Sequence, residues 1–207
     1  MTNEPIACAV GGIDITGCRV SLYPMKDHFA QQIVASIERT DTTAVWQQTD
    51  LFSTLFRGEA PSVVDAAAGL FINAYESKTH LVGEFTFSKG CPGDSAGDAF
   101  LNEEQAQPNK ASNLLNGTFD VDCKYSFYVF GENNYMEEIA TIVQLAETYG
   151  LAPRSAHYVT MLTGTANQLF GYFEAALAYA HDHLPHYVLE ATVSVNSPSK
   201  KKAVSHD

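Results

Sequence analysis

Arg19-Val20-Ser21-Leu22-Tyr23 returns 105 residues later as Lys124-Tyr125-Ser126-Phe127-Tyr128. In both copies a basic residue, a Ser and a Tyr alternate with apolar residues. Alternation is the period of a half-buried strand, whose successive side chains leave on opposite faces. Val20, Leu22, Tyr125 and Phe127 suit a core, whereas Ser21, Tyr23, Ser126 and Tyr128 suit an open face. A polar face that occurs twice predicts two related sites.

The flanking segments extend each copy into a unit. In the first, a strand runs from Gly17 to Tyr23 and Pro24 ends it. Asp27 is placed to cap a helix that carries Phe29, Ile33 and Ile37 at i, i+4 and i+8 and ends near Arg39. Val45–Gln48 and Leu51–Arg57 read as short strands joined at Thr49-Asp50, and Gly58 and Pro61 break the pattern. Residues 62–76 carry the broad apolar stripe of a helix. His80–Ser88 then alternates Glu84, Thr86 and Ser88 with Gly83, Phe85 and Phe87, so the order is βαββαβ.

The second unit follows the same plan. It has strands at Lys124–Val129, Ala156–Leu162 and Tyr187–Ser194, and helices at Met136–Tyr149, stopped by Gly150, and Leu169–His183. Glu190, Thr192 and Ser194 repeat Glu84, Thr86 and Ser88 at an offset of 106. The expected organisation is a leader at 1–16 with an apolar patch from Ile6 to Val10, a first repeat at 17–94 and a polar linker at 95–120 with a short helix at 102–106. A second repeat at 121–199 and a disordered tail at 200–207 complete it. The fold class is α+β: two tandem ferredoxin-like domains, each an antiparallel four-stranded sheet with two helices on one face. The other face needs covering by the sister repeat, another chain or a ligand.

In this fold the first strand lies beside the last. Arg19, Ser21 and Tyr23 are then expected next to Glu84, Thr86 and Ser88, and Lys124, Ser126 and Tyr128 next to Glu190, Thr192 and Ser194. Hydroxyls, an aromatic ring and a carboxylate can orient a small polar heterocycle. The same residues equally suit a polar inter-domain or dimer face with Arg19 paired to Glu84. The hairpin adds Trp46, Thr49, Asp50, Thr54 and Arg57: a ring platform with an acceptor for an amino group, or a plain turn with a buried Trp. The second repeat keeps Thr160 for Thr54, but has Ala156 for Asp50, Thr163 for Arg57 and Leu151 near the Trp46 position. Two unequal sites are expected, the first having the better-equipped hairpin.

Charge and composition remove several function classes. Asp and Glu number 24 against 12 Lys and Arg, a net charge of −12 that argues against nucleic acid or an anionic membrane as partner and suits a cationic ligand. No apolar run reaches the roughly 18 residues of a membrane span, and the acidic N-terminus lacks the basic start of a signal peptide, so a cytoplasmic location is expected. Cys8, Cys18, Cys91 and Cys123 lack C-x-x-C spacing and read as buried free thiols. His181 and His183 diverge at i, i+2 on a helix and Pro185 separates them from His186, which argues against a metal site. Gly90-x-x-Gly93 lacks the spacing of a phosphate loop. Glu84 and Glu190 are candidate bases for a small ferredoxin-like enzyme, each without a second group to tune it. An ACT-like regulatory module for another small metabolite is a further alternative.

A set of short segments resembles the YkoF family. They are Ser21-Leu22-Tyr23-Pro24-Met25, Thr40-Asp41-Thr42 with Val45-Trp46, Thr49-Asp50, Ser53-Thr54, Arg57-Gly58, Asp65-Ala66-Ala67, Thr86-Phe87-Ser88, Gly90-Cys91-Pro92-Gly93-Asp94 and Asn196-Ser197-Pro198-Ser199. The resemblance spans residues 17–200. It implies a tandem ferredoxin-like, ACT-like homodimer that binds thiamin through its hydroxymethylpyrimidine (HMP) moiety, with one site per repeat. It implies no catalysis and no cofactor, and an association with uptake of thiamin precursors by an ABC-type transporter. On facing and repeat symmetry the ligand contacts expected are Ser21, Tyr23, Trp46, Thr49, Asp50, Thr54, Glu84 and Ser88, with Ser126, Tyr128, Thr160, Glu190 and Ser194 in the second repeat. Two departures bear on the second site: the linker is more polar, and Val129-Phe130 stands where the family has Pro-Met after the Tyr.

Overall fold

The chain runs β1 (Thr16–Pro24), α1 (Phe29–Arg39), β2 (Trp46–Thr49), β3 (Thr54–Gly58), α2 (Ala60–Asn73), β4 (Leu81–Lys89), α3 (Lys110–Asn116), β5 (Asp120–Phe130), α4 (Tyr135–Thr148), β6 (Arg154–Ala156), β7 (Val159–Thr165), α5 (Ala166–His183) and β8 (His186–Val195). The computed structural model describes residues 15–89 and 105–202. This is the tandem ferredoxin-like α+β fold that the repeat predicts. β1 lies beside β4 and β5 beside β8, both antiparallel.

The two units do not stack face to face. β4 pairs antiparallel with β8, from Leu81↔Val195 to Ser88↔Val188, and fuses both sheets into one eight-stranded sheet of order β2-β3-β1-β4-β8-β5-β7-β6. Phe85 and its repeat equivalent Ala191 face each other across this pair, so an approximate two-fold axis passes between them. The sister repeat therefore extends the open face instead of covering it.

The core lies under the helices. Cys18, Val20 and Leu22 of β1, and Cys123, Tyr125 and Phe127 of β5, are buried there as the alternation predicts. Burial pushes both thiols, Cys18 and Cys123, well above their ordinary pKa. The aromatic packing crosses the repeat boundary: Phe85 meets Phe71 of α2 at 5.8 Å and Phe170 of α5 at 5.4 Å between ring centroids, both edge-on. A buried chain of hydroxyls marks the second repeat, where Tyr172 donates to Tyr125 at 2.7 Å. The positions corresponding to these two tyrosines in the first repeat are Ala66 and Val20.

Several local expectations are corrected. Asp27 does not cap α1. His28, in the left-handed region at φ 60°, precedes the helix and makes no side-chain cap. Phe29 is exposed, because the buried stripe is set by Gln32, Ile33, Ser36 and Ile37. Pro61 does not break α2 but sits in its first turn, where a missing N–H costs nothing. Asp50-Leu51-Phe52-Ser53 is loop, so β3 starts at Thr54, later than alternation suggests. The second unit has its own hairpin, β6 and β7, where one strand was expected. α5 starts at a capping box in which Thr165 and Gln168 satisfy each other's backbone amides. Within the expected linker, α3 docks on α2: Asp65 accepts from the backbone and side-chain amides of Asn109 at 2.8 and 2.9 Å. At the expected disordered tail, Pro198–Lys202 forms a 3-10 turn, and Lys200 pairs with Asp122 at 3.0 Å. The leader patch, the Gly90–Asp94 turn, Cys8, Cys91, most of the expected 102–106 helix and residues 203–207 lie outside the described residues.

Gly83 marks a tight point of this core, between two rings. A Cβ there would sit 2.8 Å from ring atoms of both Phe71 and Phe85. Gly83→Ala is expected to lower unfolding stability by about 1–3 kcal/mol, as overpacking does, read as a lower urea midpoint at unchanged slope.

Candidate functional site

The fused sheet turns the open face into rows that cross the repeat boundary. Directly opposed residues on neighbouring antiparallel strands share a face. One row reads Arg19–Thr86–Glu190–Ser126 and the next reads Ser21–Glu84–Thr192–Lys124. Adjacent rows lie about 7 Å apart, two residues along a strand. The approximate two-fold exchanges them: each presents a base, a Thr, a Glu and a Ser, and each draws two residues from either repeat. Tyr23 and Ser194 flank one side of the rows, and Ser88 and Tyr128 the other.

A cavity of about 300 Å³ opens on this face over β4, β8 and β5. Glu84 and Thr86 of the first repeat and Lys124, Ser126, Glu190 and Thr192 of the second line it, with Val159 at its edge. Lys124 and Glu190 make no hydrogen bond or ion pair among the described residues. Glu84 accepts one bond, from the Tyr23 hydroxyl at 3.0 Å, which leaves most of its acceptor capacity free. The cavity thus offers two carboxylates, an ammonium and hydroxyls on a rigid pleated floor.

The two hairpins hook onto the face from either side. The Ser21 hydroxyl donates to the Phe52 carbonyl at 3.0 Å, and the Ser126 hydroxyl to the Tyr158 carbonyl, at the matching position, at 3.3 Å. Phe52 and Tyr158 are consequently held at the rim with their rings exposed. In the first repeat the hairpin is also clasped. Arg19 donates to Asp50 at 2.6 Å and to Ser53 at 2.7 Å, and Asp50 accepts from the amides of Phe52 and Ser53 at 2.8 and 2.9 Å. The Arg19 bond, helped by those two amides, holds the Asp50 carboxyl at about 2. Arg19 is therefore paired with Asp50, not with Glu84 as the polar-interface alternative had it.

The expected contacts separate into groups. Ser21, Tyr23, Glu84, Ser88, Ser126, Tyr128, Glu190 and Ser194 all stand on the open face. Ser194 lies 3.1 Å from the His80 ring, and Ser88 and Tyr128 are a row away from the cavity lining. Trp46 is on the same face but on an edge strand opposite Arg57, in the row of Ser88, so it is three strands (about 14 Å) across and two rows along from Glu84. Thr54 and Thr160 are on the other face. Thr54 opposes Val20 and lies 3.0 Å from the Thr49 hydroxyl, and Thr160 opposes Tyr125. The hairpin registers decide this, since one residue of shift exchanges the faces. Asp50 has its oxygens engaged in the clasp. Thr86, Lys124 and Thr192 were absent from the expected contacts although they lie on the same alternation, which was the signal for them.

The sequence profile described as the YKOF-related Family matches residues 15–94 and 120–200. The chain belongs to the YkoF family. A relative from Bacillus subtilis (strain 168), named "Putative HMP/thiamine-binding protein YkoF", is 36% identical over 187 residues, which is 90% of this chain and 93% of the relative. The two stretches of the family match fall on the two halves of the sheet, so the duplication belongs to the family's pattern. Among the described residues no group of three or more His, Cys, Asp or Glu is arranged to hold a metal, and no helix is long and apolar enough to cross a membrane.

The clasp gives a pH expectation of defined sign. A carboxyl depressed by folding stabilises the folded form above its unfolded value and loses that contribution as pH falls through about 2. Carbon-detected NMR titration should find Asp50 near 2, and Arg19→Ala should move it towards the ordinary carboxylate range. The two backbone amides remain in that variant and keep the return partial.

Proposed function

We propose that this YkoF-family chain is a non-catalytic binding protein for thiamin or its HMP moiety, and that the open face of the sheet receives the aminopyrimidine. The observation that carries the reading is that Glu190 and Lys124 both line one cavity unengaged, among Ser and Thr hydroxyls, in a family member whose relative is named for HMP and thiamine. An aminopyrimidine presents an exocyclic amino donor beside ring-nitrogen acceptors. Glu190 and Glu84 accept from the amino group, and the Ser126, Thr86 and Thr192 hydroxyls and Lys124 donate to the nitrogens. The thiazolium of thiamin is a cation, which a chain of net charge −12 accommodates.

The finer parts of the reading have separate support. A homodimer follows from the resemblance, and the exposed aromatics on and around the open face, Tyr23, Phe52, Tyr128 and Tyr158, favour a partner there. A cytoplasmic location and a link to thiamin or HMP uptake through an ABC-type transporter rest on the resemblance alone. The function is assigned as binding because the carboxylates are arranged as acceptors, with hydroxyls around them.

Titration calorimetry with thiamin, HMP and free amino acids tests the reading. Heat of binding is expected for both pyrimidines and none for amino acids; the opposite pattern, or no pyrimidine binding, overturns it. Glu190→Gln keeps the shape and removes the charge, and is expected to weaken thiamin binding about tenfold to a hundredfold, the worth of a hydrogen bond to a charged group.

A further inference from the structure

The helix that joins the repeats, α3, ends on Asn116-Gly117, the one Asn-Gly pair in the chain. Packing dictates the glycine. A Cβ at position 117 would collide with Asn167 Oδ1 and come within 2.9 Å of Ile72 Cδ1. The Gly117 carbonyl accepts from the Asn167 amide at 2.9 Å, at the start of α5.

Asn followed by Gly is the pair least hindered towards ring closure. The Gly nitrogen attacks the Asn side-chain carbonyl carbon, the bond to Nδ2 breaks, and ammonia leaves with the proton that the backbone amide gives up. Water then opens the five-membered imide at either carbonyl, to aspartate or to isoaspartate. In α3 the reacting groups are held apart. The Gly117 N–H donates to the Asn113 carbonyl at 2.8 Å as the helix C-cap. The Asn116 Nδ2 donates to the Ser112 hydroxyl at 3.1 Å, one turn back. Helical side chains lean towards the N-terminus, so this carboxamide leans away from the nitrogen that must attack it.

The lock is only as strong as the docking of α3. Seven residues are too few to hold a helix in water. No residue of α3 is buried, and Leu114 and Leu115 are exposed. Its order comes from polar ties: Asn109 and Asn113 to Asp65 of α2, and Asn167 Nδ2 of α5 to the Leu114 carbonyl at 2.8 Å. A groove of about 80 Å³ remains between α2, α3 and α5. Segments with few buried contacts open at the low end of the free-energy range. We infer that Asn116-Gly117 is a latent self-modification site, closed while α3 is docked and opened by its undocking. Isoaspartate carries the main chain through one extra methylene, which the slot that excludes a Cβ at Gly117 does not accept, so a modified α3 does not redock.

Incubation of the full chain at mildly alkaline pH, with peptide mapping by mass spectrometry, tests this without any ligand. Asn116 is expected to convert at least about tenfold more slowly in the folded protein than in guanidinium chloride, the worth of one or two hydrogen bonds. Asp65→Ala and Asn167→Ala each cut ties without touching the reacting pair, and each is expected to speed conversion in the folded chain about threefold to tenfold. Asn167→Ala serves alone where Asp65→Ala does not fold. The isoaspartyl fraction, separated after ageing, is expected to lack hydrogen-exchange protection across α3. Equal rates in folded and denatured chain, no conversion even when denatured, or an unchanged rate in the folded variants overturns the latent site. An isoaspartyl fraction protected like the unmodified chain overturns the failure to redock.

Discussion

The ladder between Leu81–Lys89 and His186–Val195 is the constraint on which the rest depends. A ferredoxin-like unit ends in an edge strand with a full row of unpaired N–H and C=O groups, which is a template for unwanted pairing. Joining β4 to β8 satisfies that row in both repeats at once. The edges that remain, β2 and β6, are only four and three residues long. The same ladder brings Phe85 against rings from both repeats, so the core is one body. It also fixes which open-face side chains become neighbours, and in doing so makes every row of the site a product of both repeats.

Much of this was legible in the chain. Alternation assigned the open and core faces of β1, β4, β5 and β8 correctly, because both faces of those strands are strongly specified: one is buried and apolar, the other polar. The repeat gave the fold class. What sequence could not supply was register and pairing across long separations. Thr54 and Thr160 stand on the helix side because register sets them opposite Val20 and Tyr125, and neither short hairpin strand reveals that register by its own alternation. Arg19 meeting Asp50, 31 residues away, depends on how far that hairpin curls back. The β4–β8 ladder leaves no local mark at all, since edge and central antiparallel strands with one solvated face look alike.

The segment between the repeats illustrates another limit. Its Asn and Gln residues read as a solvated linker, yet Asn109 and Asn113 are anchors. Both bond to Asp65 on α2, and burial raises that carboxyl more than the Asn109 donors lower it. Polar composition reports a need for hydrogen bonds and does not say whether water or protein meets it. The same holds for Gln32 and Ser36, which are polar and buried on α1.

Covalent fusion of the two repeats has a consequence beyond stability. A closed dimer of a single repeat would carry identical hairpins, so a clasp in one half would have to appear in the other. Placing both copies in one chain replaces association by proximity and frees each copy to drift. The Asp50/Ser53 and Ala156/Val159 difference is the kind of divergence that only a tandem chain can hold. The first hairpin is then clasped to β1 through Arg19 while the second lacks those partners, without either repeat losing the strand that completes its sheet.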